Sequence, residues 1–152
     1  MDKRKKFDYK LFKANDELAR SVGKTYWNSL GRVAVDNPDK YGPDLVIDGE
    51  FYCEMEIKRA WKGKDFKYKT CQIPHRKAKY LDKDKYSMQT HFLILNNEQE
   101  YAFFIKEEDV KASPVVEVPN RYVPSGEMFF QVPLDKLKLV ELKNDKDDKD
   151  NK

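Results

Sequence analysis

Apolar residues recur every three or four positions near the start of the chain, a spacing that is typical of an amphipathic helix. The stripe runs from residue 8 to residue 30, and Gly31 is suited to the C-terminal cap that follows it. Its apolar positions are Leu11, Ala14, Leu18, Val22, Tyr26 and Leu30. Glu17 lies at the border of this stripe, where an acid either reaches over a sheet edge into a cleft or remains solvated.

Shorter apolar runs after residue 31 predict β-strands. Two β-prone runs at residues 45–47 and 51–53 flank the turn-forming pair Asp48-Gly49, so a β-hairpin is expected there. Other strands are predicted at residues 32–35, 67–73, 91–95, 101–105, 115–118 and 128–132, and residues 134–142 form either a strand or a helical turn followed by a strand. The order of these elements predicts a mixed α/β domain with a central sheet.

Charged residues alternate with apolar ones along the second strand of the hairpin. Because successive side chains of a strand point to opposite faces, Glu54, Glu56 and Lys58 share one face, and the residues between them point into a core. Asp44 stands at the head of the preceding strand. This spacing fits either an acidic site or the solvated face of an amphipathic strand.

Composition limits the class of protein. The chain has 152 residues, of which 38% are charged and 39% are hydrophobic, so one domain is expected over residues 1–143. Residues 1–6 are expected to form a loose basic arm, and residues 144–152, which include no apolar residue, a disordered charged tail. No apolar run approaches the roughly 20 residues that cross a bilayer, so no membrane association is expected. Cys53 and Cys71 are expected to be reduced core residues of a cytoplasmic protein, or of one in a host-cell cytoplasm if it is viral.

The net charge of +3 is modest, but the basic residues are concentrated in one stretch. Between Lys58 and Tyr80 there are nine Lys or Arg residues and a single acid, Asp65, with aromatic residues interleaved among them. Lysines bind phosphates as point charges, and aromatic faces stack on bases. The stretch therefore predicts contact with a nucleic acid, although such a run can also be only a solvated surface.

Pro43-Asp44, followed by the hairpin and then by Glu56-Ile57-Lys58, resembles the signature of the PD-(D/E)XK nuclease superfamily. The resemblance covers about residues 8 to 105 by element order, and residues 43 to 80 carry its specific positions. It implies an α/β fold with a restriction-endonuclease-like core, in which helices flank a central mixed β-sheet. The function that it implies is metal-dependent hydrolysis of phosphodiester bonds, most of all as a DNA endonuclease.

The resemblance also implies roles for individual residues. The carboxylates of Asp44 and Glu56, with the carbonyl oxygen of Ile57, would hold Mg²⁺ or Mn²⁺, which prefer hard oxygen ligands. Lys58 would hold or help to deprotonate the attacking water. Glu17 matches the acid that often completes the metal site from the first helix. Catalytic roles are thus expected for Glu17, Asp44, Glu56 and Lys58.

A basic helix after the third strand often contacts the nucleic-acid backbone in this superfamily. Pro74 suits the first turn of such a helix, and Arg76, Lys77 and Lys79 match the contacting residues. Gln72 is present where some branches carry a glutamine, so it too is expected to bind the nucleic acid, but Arg76 replaces the tyrosine that follows it there. This difference favours small phage-type endonucleases or junction-resolving enzymes, and DNA is the favoured nucleic acid.

Two other classes of function remain open at this point. A non-catalytic nucleic-acid-binding module would explain the basic stretch, and a phage or host interaction protein would explain the small size and high charge. Both would make Asp44 and Glu56 ordinary surface acids, so dependence of metal binding on these two residues discriminates between the classes. The sequence leaves both a monomer and a homodimer open.

The register of the hairpin provides a geometric expectation. A two-residue turn at Asp48-Gly49 would set Asp44 opposite Cys53, on the buried face and away from Glu56. We therefore expect a three-residue loop over residues 49–51, which sets Asp44 opposite Glu56, a bulge near the turn, or a strong bend at Pro43-Asp44 that redirects the side chain. Glu54 shares the face of Glu56 and is either a ligand itself or the partner of a neighbouring base.

Overall fold

The structure is a computed structural model that describes residues 9–119 and 126–142, with side chains from residue 16 onward. The basic arm expected at residues 1–6 and the charged tail expected at residues 144–152 lie outside the described residues. Within these ranges no helix combines the length and the apolar character that a bilayer crossing needs.

The described elements follow the predicted order of helix, strand, hairpin, strand, basic helix and further strands. The helices are α1 (Tyr9–Ser29) and α2 (Glu107–Lys111), and 3₁₀ helices cover His75–Leu81 and Leu134–Lys136. The strands are β1 (Ala34–Asp36), β2 (Leu45–Ile47), β3 (Phe51–Ile57), β4 (Thr70–Pro74), β5 (Thr90–Leu95), β6 (Tyr101–Ile105), β7 (Val115–Val118), β8 (Glu127–Pro133) and β9 (Lys138–Glu141).

The described strands form two sheets. The central sheet has six strands in the order β1-β2-β3-β5-β6-β9, and the second has three in the order β4-β8-β7. Strands β3 and β5 are parallel, and the other neighbouring pairs are antiparallel. The protein is therefore a mixed α/β fold with a mostly antiparallel central sheet that is flanked by helices.

Helix α1 covers one face of the central sheet. Its core residues are Ala19, Tyr26 and Trp27, which pack with Leu45, Ile47, Cys53, Met55, Leu93 and Leu95. A Cβ on Gly23 would lie 2.6 Å from Met55 Cε and 3.0 Å from Leu45 Cδ1, so this glycine lets the helix approach the strands closely. The buried stripe therefore differs from the predicted one, because Leu18 and Leu30 are 42% and 56% exposed.

The three-stranded sheet covers the opposite face. Trp61 stacks on Phe103 with 4.4 Å between ring centroids, and both belong to a second core cluster. The other buried members of this cluster are Cys71, Ile73, Leu81, Phe92, Ile94, Ile105, Val110, Phe130 and Val132. Strand β5 supplies side chains alternately to both clusters, which is why it reads as a continuous apolar run. Cys53 and Cys71 are free and fully buried in different clusters, as expected for reduced core cysteines.

Several local details differ from the predicted elements. Strand β4 begins at Thr70 rather than at residue 67, and helix α2 was not predicted. Helix α2 has only five residues and three of them are acidic, so its apolar periodicity is too short to recognise. Residues 134–142 adopt the second predicted alternative, a helical turn followed by strand β9.

We expect Gly23→Val to destabilise the fold by about 1–3 kcal/mol, because the added methyl groups overlap Met55 and Leu45. Helix propensity favours Val over Gly, so it cannot account for such a loss. The free energy of unfolding from urea titration measures the effect, with Ser21→Val at an exposed position of the same helix as the matched control. Equal stability of the two variants would contradict the close packing.

Candidate active-site cleft

The register of the β2–β3 hairpin decides which acids share a face. Leu45 pairs with Cys53 and Ile47 pairs with Phe51, so three residues connect the strands. Extending this register by one residue sets Asp44 opposite Glu54. The expectation that the turn is not a two-residue one is confirmed, and Asp44 lies on the face of the acids. The expected partner was wrong, because the loop covers residues 48–50 rather than 49–51.

The position of the loop follows from its turn residues. Asp48 and Gly49 adopt φ values of 55° and 68°, which Asp and Gly tolerate better than most residues. The Glu50 N–H donates to the Ile47 carbonyl oxygen at 2.9 Å and closes the loop. Asp48 Oδ1 also accepts a 2.7 Å hydrogen bond from the Val33 N–H, which ties the turn to the chain before β1.

Asp44 is held between two elements of the chain. Its carboxylate accepts a 2.9 Å hydrogen bond from the Met55 N–H, and its own N–H donates to Glu54 Oε1 at 3.1 Å. On the other side, the Asn37 N–H donates to the Asp44 carbonyl oxygen at 3.0 Å, and the Asn37 side chain donates to the Pro43 carbonyl oxygen. These bonds fix the Asp44 carboxylate beside that of Glu54.

A cleft of about 730 Å³ opens above these acids. Six acids line it, namely Asp16, Asp36, Asp39, Asp44, Glu54 and Glu56. Six bases line it as well, namely Arg20, Lys40, Arg59, Arg76, Lys77 and Lys79. The cleft therefore combines a carboxylate cluster with a set of cations, and Ile57 also lines it.

Glu54 is paired with Lys77, but the facing carboxylate of Asp44 has no such partner among the described residues. Burial raises the pKa of Asp44 to about 8, and the neighbouring Glu54 carboxylate adds to this rise, against the opposing effect of the Met55 N–H. Among the residues that the structure describes, no cation lies within ion-pair distance of Asp44. An added cation would therefore relieve the repulsion at this position.

Lys77 is buried against the acid cluster at the wall of the cleft rather than exposed at the surface. It is 8% exposed, and its Nζ lies 3.0 Å from Glu54 Oε2 and 3.3 Å from the Met55 carbonyl oxygen. Burial alone would lower the pKa of Lys77, but the Glu54 and Glu56 carboxylates outweigh it and the pKa is raised. The 3₁₀ helix turns this side chain inward against Glu54, and its expected contact with a nucleic-acid backbone stays a prediction.

Glu56 and Lys58 lie next to each other at the end of β3. Lys58 Nζ is 3.7 Å from Glu56 Oε2, and it donates a hydrogen bond to the Gln72 carbonyl oxygen of β4. Glu56 Oε2 is buried and has no hydrogen-bond partner among the described residues. Glu56 lines the cleft, whereas Lys58 and Gln72 are not among its lining residues. The structure therefore does not bring these two expected residues to the cleft.

Helix α1 contributes a different acid from the expected one. Glu17 is exposed and does not line the cleft, whereas Asp16 lines it, forms an ion pair with Arg20, and helps to raise the pKa of Asp44. The sequence held a signal for this choice. Asp16 is three residues before Ala19 and seven before Gly23, so it continues the stripe of small residues that faces the sheet.

Two of the expected nucleic-acid contacts do reach the cleft. Arg76 is exposed and pairs with Glu127 at 3.2 Å, and Lys79 Nζ lies 5.1 Å from the centre of the Tyr80 ring. Sequence reasoning had not singled out Arg20, Lys40 and Arg59, which also line the cleft. They come from three separate loops and helices, so their convergence depends on the tertiary fold.

The donor set of the cleft suits a hard divalent cation. Carboxylate oxygens are the usual protein ligands of Mg²⁺, which keeps several waters and needs only one or two carboxylates. Asp44 and Glu54 face each other, and Glu56 holds a buried oxygen without a hydrogen-bond partner in the described structure. Within residues 9–119 and 126–142, no three His, Cys, Asp or Glu residues are grouped closely enough to hold a metal ion. The residues present therefore fit a Mg²⁺ ion held by two carboxylates and by water, and they do not fit an ion whose ligands all come from the protein.

No protein-family model matches this chain, and searches of curated proteins and of solved structures find no match either. The likeness to the PD-(D/E)XK signature therefore stays a prediction from the sequence. Function has to be inferred from the residues of the cleft and from their charges.

Asp44 should make the metal-free protein less stable as the pH rises. Its pKa is about 8 in the folded protein against an ordinary value of 3.8, so the folded state keeps a proton that the unfolded chain releases. The associated stability is present below about pH 4 and is lost as the pH rises to about 8. Asp44→Asn should lack this loss. Between pH 5 and pH 8, its free energy of unfolding should therefore rise by about 2–4 kcal/mol relative to that of the wild type.

Urea titrations in the presence of a chelator at both pH values measure this difference. Glu50→Gln removes an exposed carboxylate from the same hairpin and is the matched control. A wild type and an Asp44→Asn variant with the same pH dependence would contradict the crowding of Asp44 and Glu54.

Proposed function

We propose that this protein is a metal-dependent nuclease, a DNA endonuclease with a PD-(D/E)XK-type active site. The cleft carries the proposal, because it holds a buried Asp44 carboxylate beside that of Glu54, together with a set of cations suited to a polyanion. The element order supports a restriction-endonuclease-like core as well. A leading helix packs on a central mixed sheet, and a basic 3₁₀ helix belongs to the segment of chain that connects the parallel neighbours β3 and β5.

The metal site is proposed at Asp44 and Glu54, because the register sets these two residues opposite each other. Glu56 stands two residues further along the same face, and its Oε2, which accepts no hydrogen bond from the described residues, is proposed as an additional acceptor. When it is bound, Mg²⁺ or Mn²⁺ supplies positive charge to the phosphate and lowers the pKa of water. The carboxylates also accept hydrogen bonds from water and so orient a nucleophile towards the phosphate.

The cations of the cleft are proposed to hold the nucleic-acid backbone. Arg76 and Lys79 lie on the 3₁₀ helix, and Lys40 and Arg59 lie on the loops that follow β1 and β3. Charges of this kind contact phosphates without reading the base sequence. They would place a phosphodiester across the carboxylates from more than one side.

Replacing either facing carboxylate should abolish most cleavage. Asp44→Asn and Glu54→Gln should each lower the rate of metal-dependent DNA cleavage by about 100-fold or more, and both should weaken Mn²⁺ binding. The assay is a panel of single-stranded, duplex, flapped and four-way DNA with Mg²⁺ and Mn²⁺, and calorimetry measures Mn²⁺ binding. Asp16→Asn and Glu17→Gln form a matched pair, and only the former should reduce cleavage.

Glu50→Gln is the control for loss of an exposed acid, and it should cleave like the wild type. Cleavage by both Asp44→Asn and Glu54→Gln at wild-type rates would contradict the proposed site. A wild type that binds DNA and no metal, and cleaves nothing, would instead favour a non-catalytic binding module.

The charges at the cleft should set the affinity for DNA. The double variant Arg76→Gln/Lys79→Gln should weaken binding by a similar factor for all sequences and reduce the slope of log affinity against log salt. Fluorescence anisotropy at several salt concentrations measures both quantities. Lys62→Gln/Lys69→Gln removes the same charge from exposed positions outside the cleft and should have a smaller effect. Equal effects of the two double variants would show that the cleft is not the binding surface.

A further inference from the structure

Two lysines lie near the carboxylates, and their surroundings differ. Lys58 follows β3 directly and bonds the carbonyl oxygen of Gln72 in β4. It thus links the central sheet to the three-stranded sheet, and it is not among the residues that line the cleft. Lys58 therefore has a structural position, in which its side chain joins the two sheets.

Lys77 comes from the 3₁₀ helix and lines the cleft. Its ammonium group lies 3.0 Å from Glu54 Oε2 and 3.3 Å from the carbonyl oxygen of Met55. An ammonium group has three N–H donors, and these two contacts use two of them. The third donor is left for a group that enters the cleft.

We propose that Lys77, and not Lys58, is the lysine that acts in the active site. The ammonium group of Lys77 orients the Glu54 carboxylate and offers its remaining N–H to an oxygen of the bound phosphate. Lys58 instead holds β4 against the end of β3. This assignment rests on the nuclease function proposed above and departs from the sequence signature, in which the lysine two residues after Glu56 has the catalytic role.

The register of the hairpin explains why Lys77 takes the role that the sequence signature gives to Lys58. Glu54, and not Glu56, stands opposite Asp44, so the carboxylate pair lies two residues before the expected position on β3. Lys58 is four residues beyond Glu54, and its Nζ is 3.7 Å from Glu56 instead. Lys77 contacts Glu54 directly. The ammonium group nearest to the facing acids therefore comes from another segment of the chain.

The test compares Lys77→Met with Lys58→Met, which remove the same charge and leave similar apolar side chains. We measure the single-turnover cleavage rate at saturating DNA and Mn²⁺, the DNA affinity in Ca²⁺, the Mn²⁺ affinity and the Tm. Lys77→Met should lower the rate by about 100-fold or more, with DNA affinity changed less than about 3-fold. Lys58→Met should keep the rate within about 5-fold of the wild type while its Tm falls.

Mn²⁺ affinity separates an active-site lysine from a merely structural one without an activity assay. Removing a positive charge that sits on Glu54 should tighten Mn²⁺ binding by about 10-fold or more in Lys77→Met. Lys77→Arg keeps the charge, so its Mn²⁺ affinity should stay close to that of the wild type. Lys58→Met should change the Mn²⁺ affinity less than Lys77→Met does.

The outcomes distinguish this assignment from the proposed function. A folded Lys58→Met variant that loses about 100-fold in rate would overturn the assignment, even if Lys77→Met failed to fold. Unchanged rate and Mn²⁺ affinity in Lys77→Met would overturn it too. A wild type that binds no Mn²⁺ and cleaves no DNA would refute the proposed function, and the role of Lys77 with it.

Discussion

Two carboxylates held beside each other on neighbouring strands are the constraint on which the cleft depends. The hydrogen bonds of the hairpin fix Asp44 opposite Glu54, and no side-chain rotation can move one strand past the other. Burial and the like charge of Glu54 raise the free energy of the ionised Asp44 carboxylate, which either a proton or a nearby positive charge relieves. Lys77 supplies one charge from within the protein, and a divalent cation is the proposed source of more.

The parallel pairing of β3 with β5 explains how a distant segment reaches the acids. Parallel neighbours need a crossover connection, and here the crossover contains β4 and the 3₁₀ helix His75–Leu81. Strand β4 pairs with β8 in the second sheet, so the 3₁₀ helix is anchored beside the edge of the cleft. The basic stretch of the sequence is therefore this crossover, folded back over the hairpin that carries the acids.

Local patterns were enough to predict the strands and the acidic face, but not the side chains that complete the cleft. Alternation along β3 predicts that Glu54 and Glu56 share a face, and this depends only on strand geometry. The orientation of α1 could be derived only in part from its large apolar residues, since Tyr26 faces the sheet as predicted but Leu18 does not. The small residues Ala19 and Gly23 face the sheet instead.

The burial of Lys77 depends on long-range pairing of β4 with β8, for which the sequence carries no local signal.

The register of the β2–β3 hairpin depended on a single residue of the turn, Asp48. Asp48 takes a positive φ and closes the loop one residue earlier than the sequence led us to expect, which exchanges Glu56 for Glu54 as the partner of Asp44. Turn propensities cannot resolve a shift of one residue in the loop, although this shift decides which acid stands opposite Asp44.

The anchoring of β4 on β8 also has a consequence for the order in which the protein matures during synthesis. Asp44 and Glu54 belong to a local hairpin that can form early, but β8 leaves the ribosome more than 70 residues later. Until Ile73 pairs with Phe130, the segment that carries Lys77 has no partner sheet to hold it. The nascent chain would then carry its acids without Lys77, so the proposed activity would begin only when β8 has joined the fold.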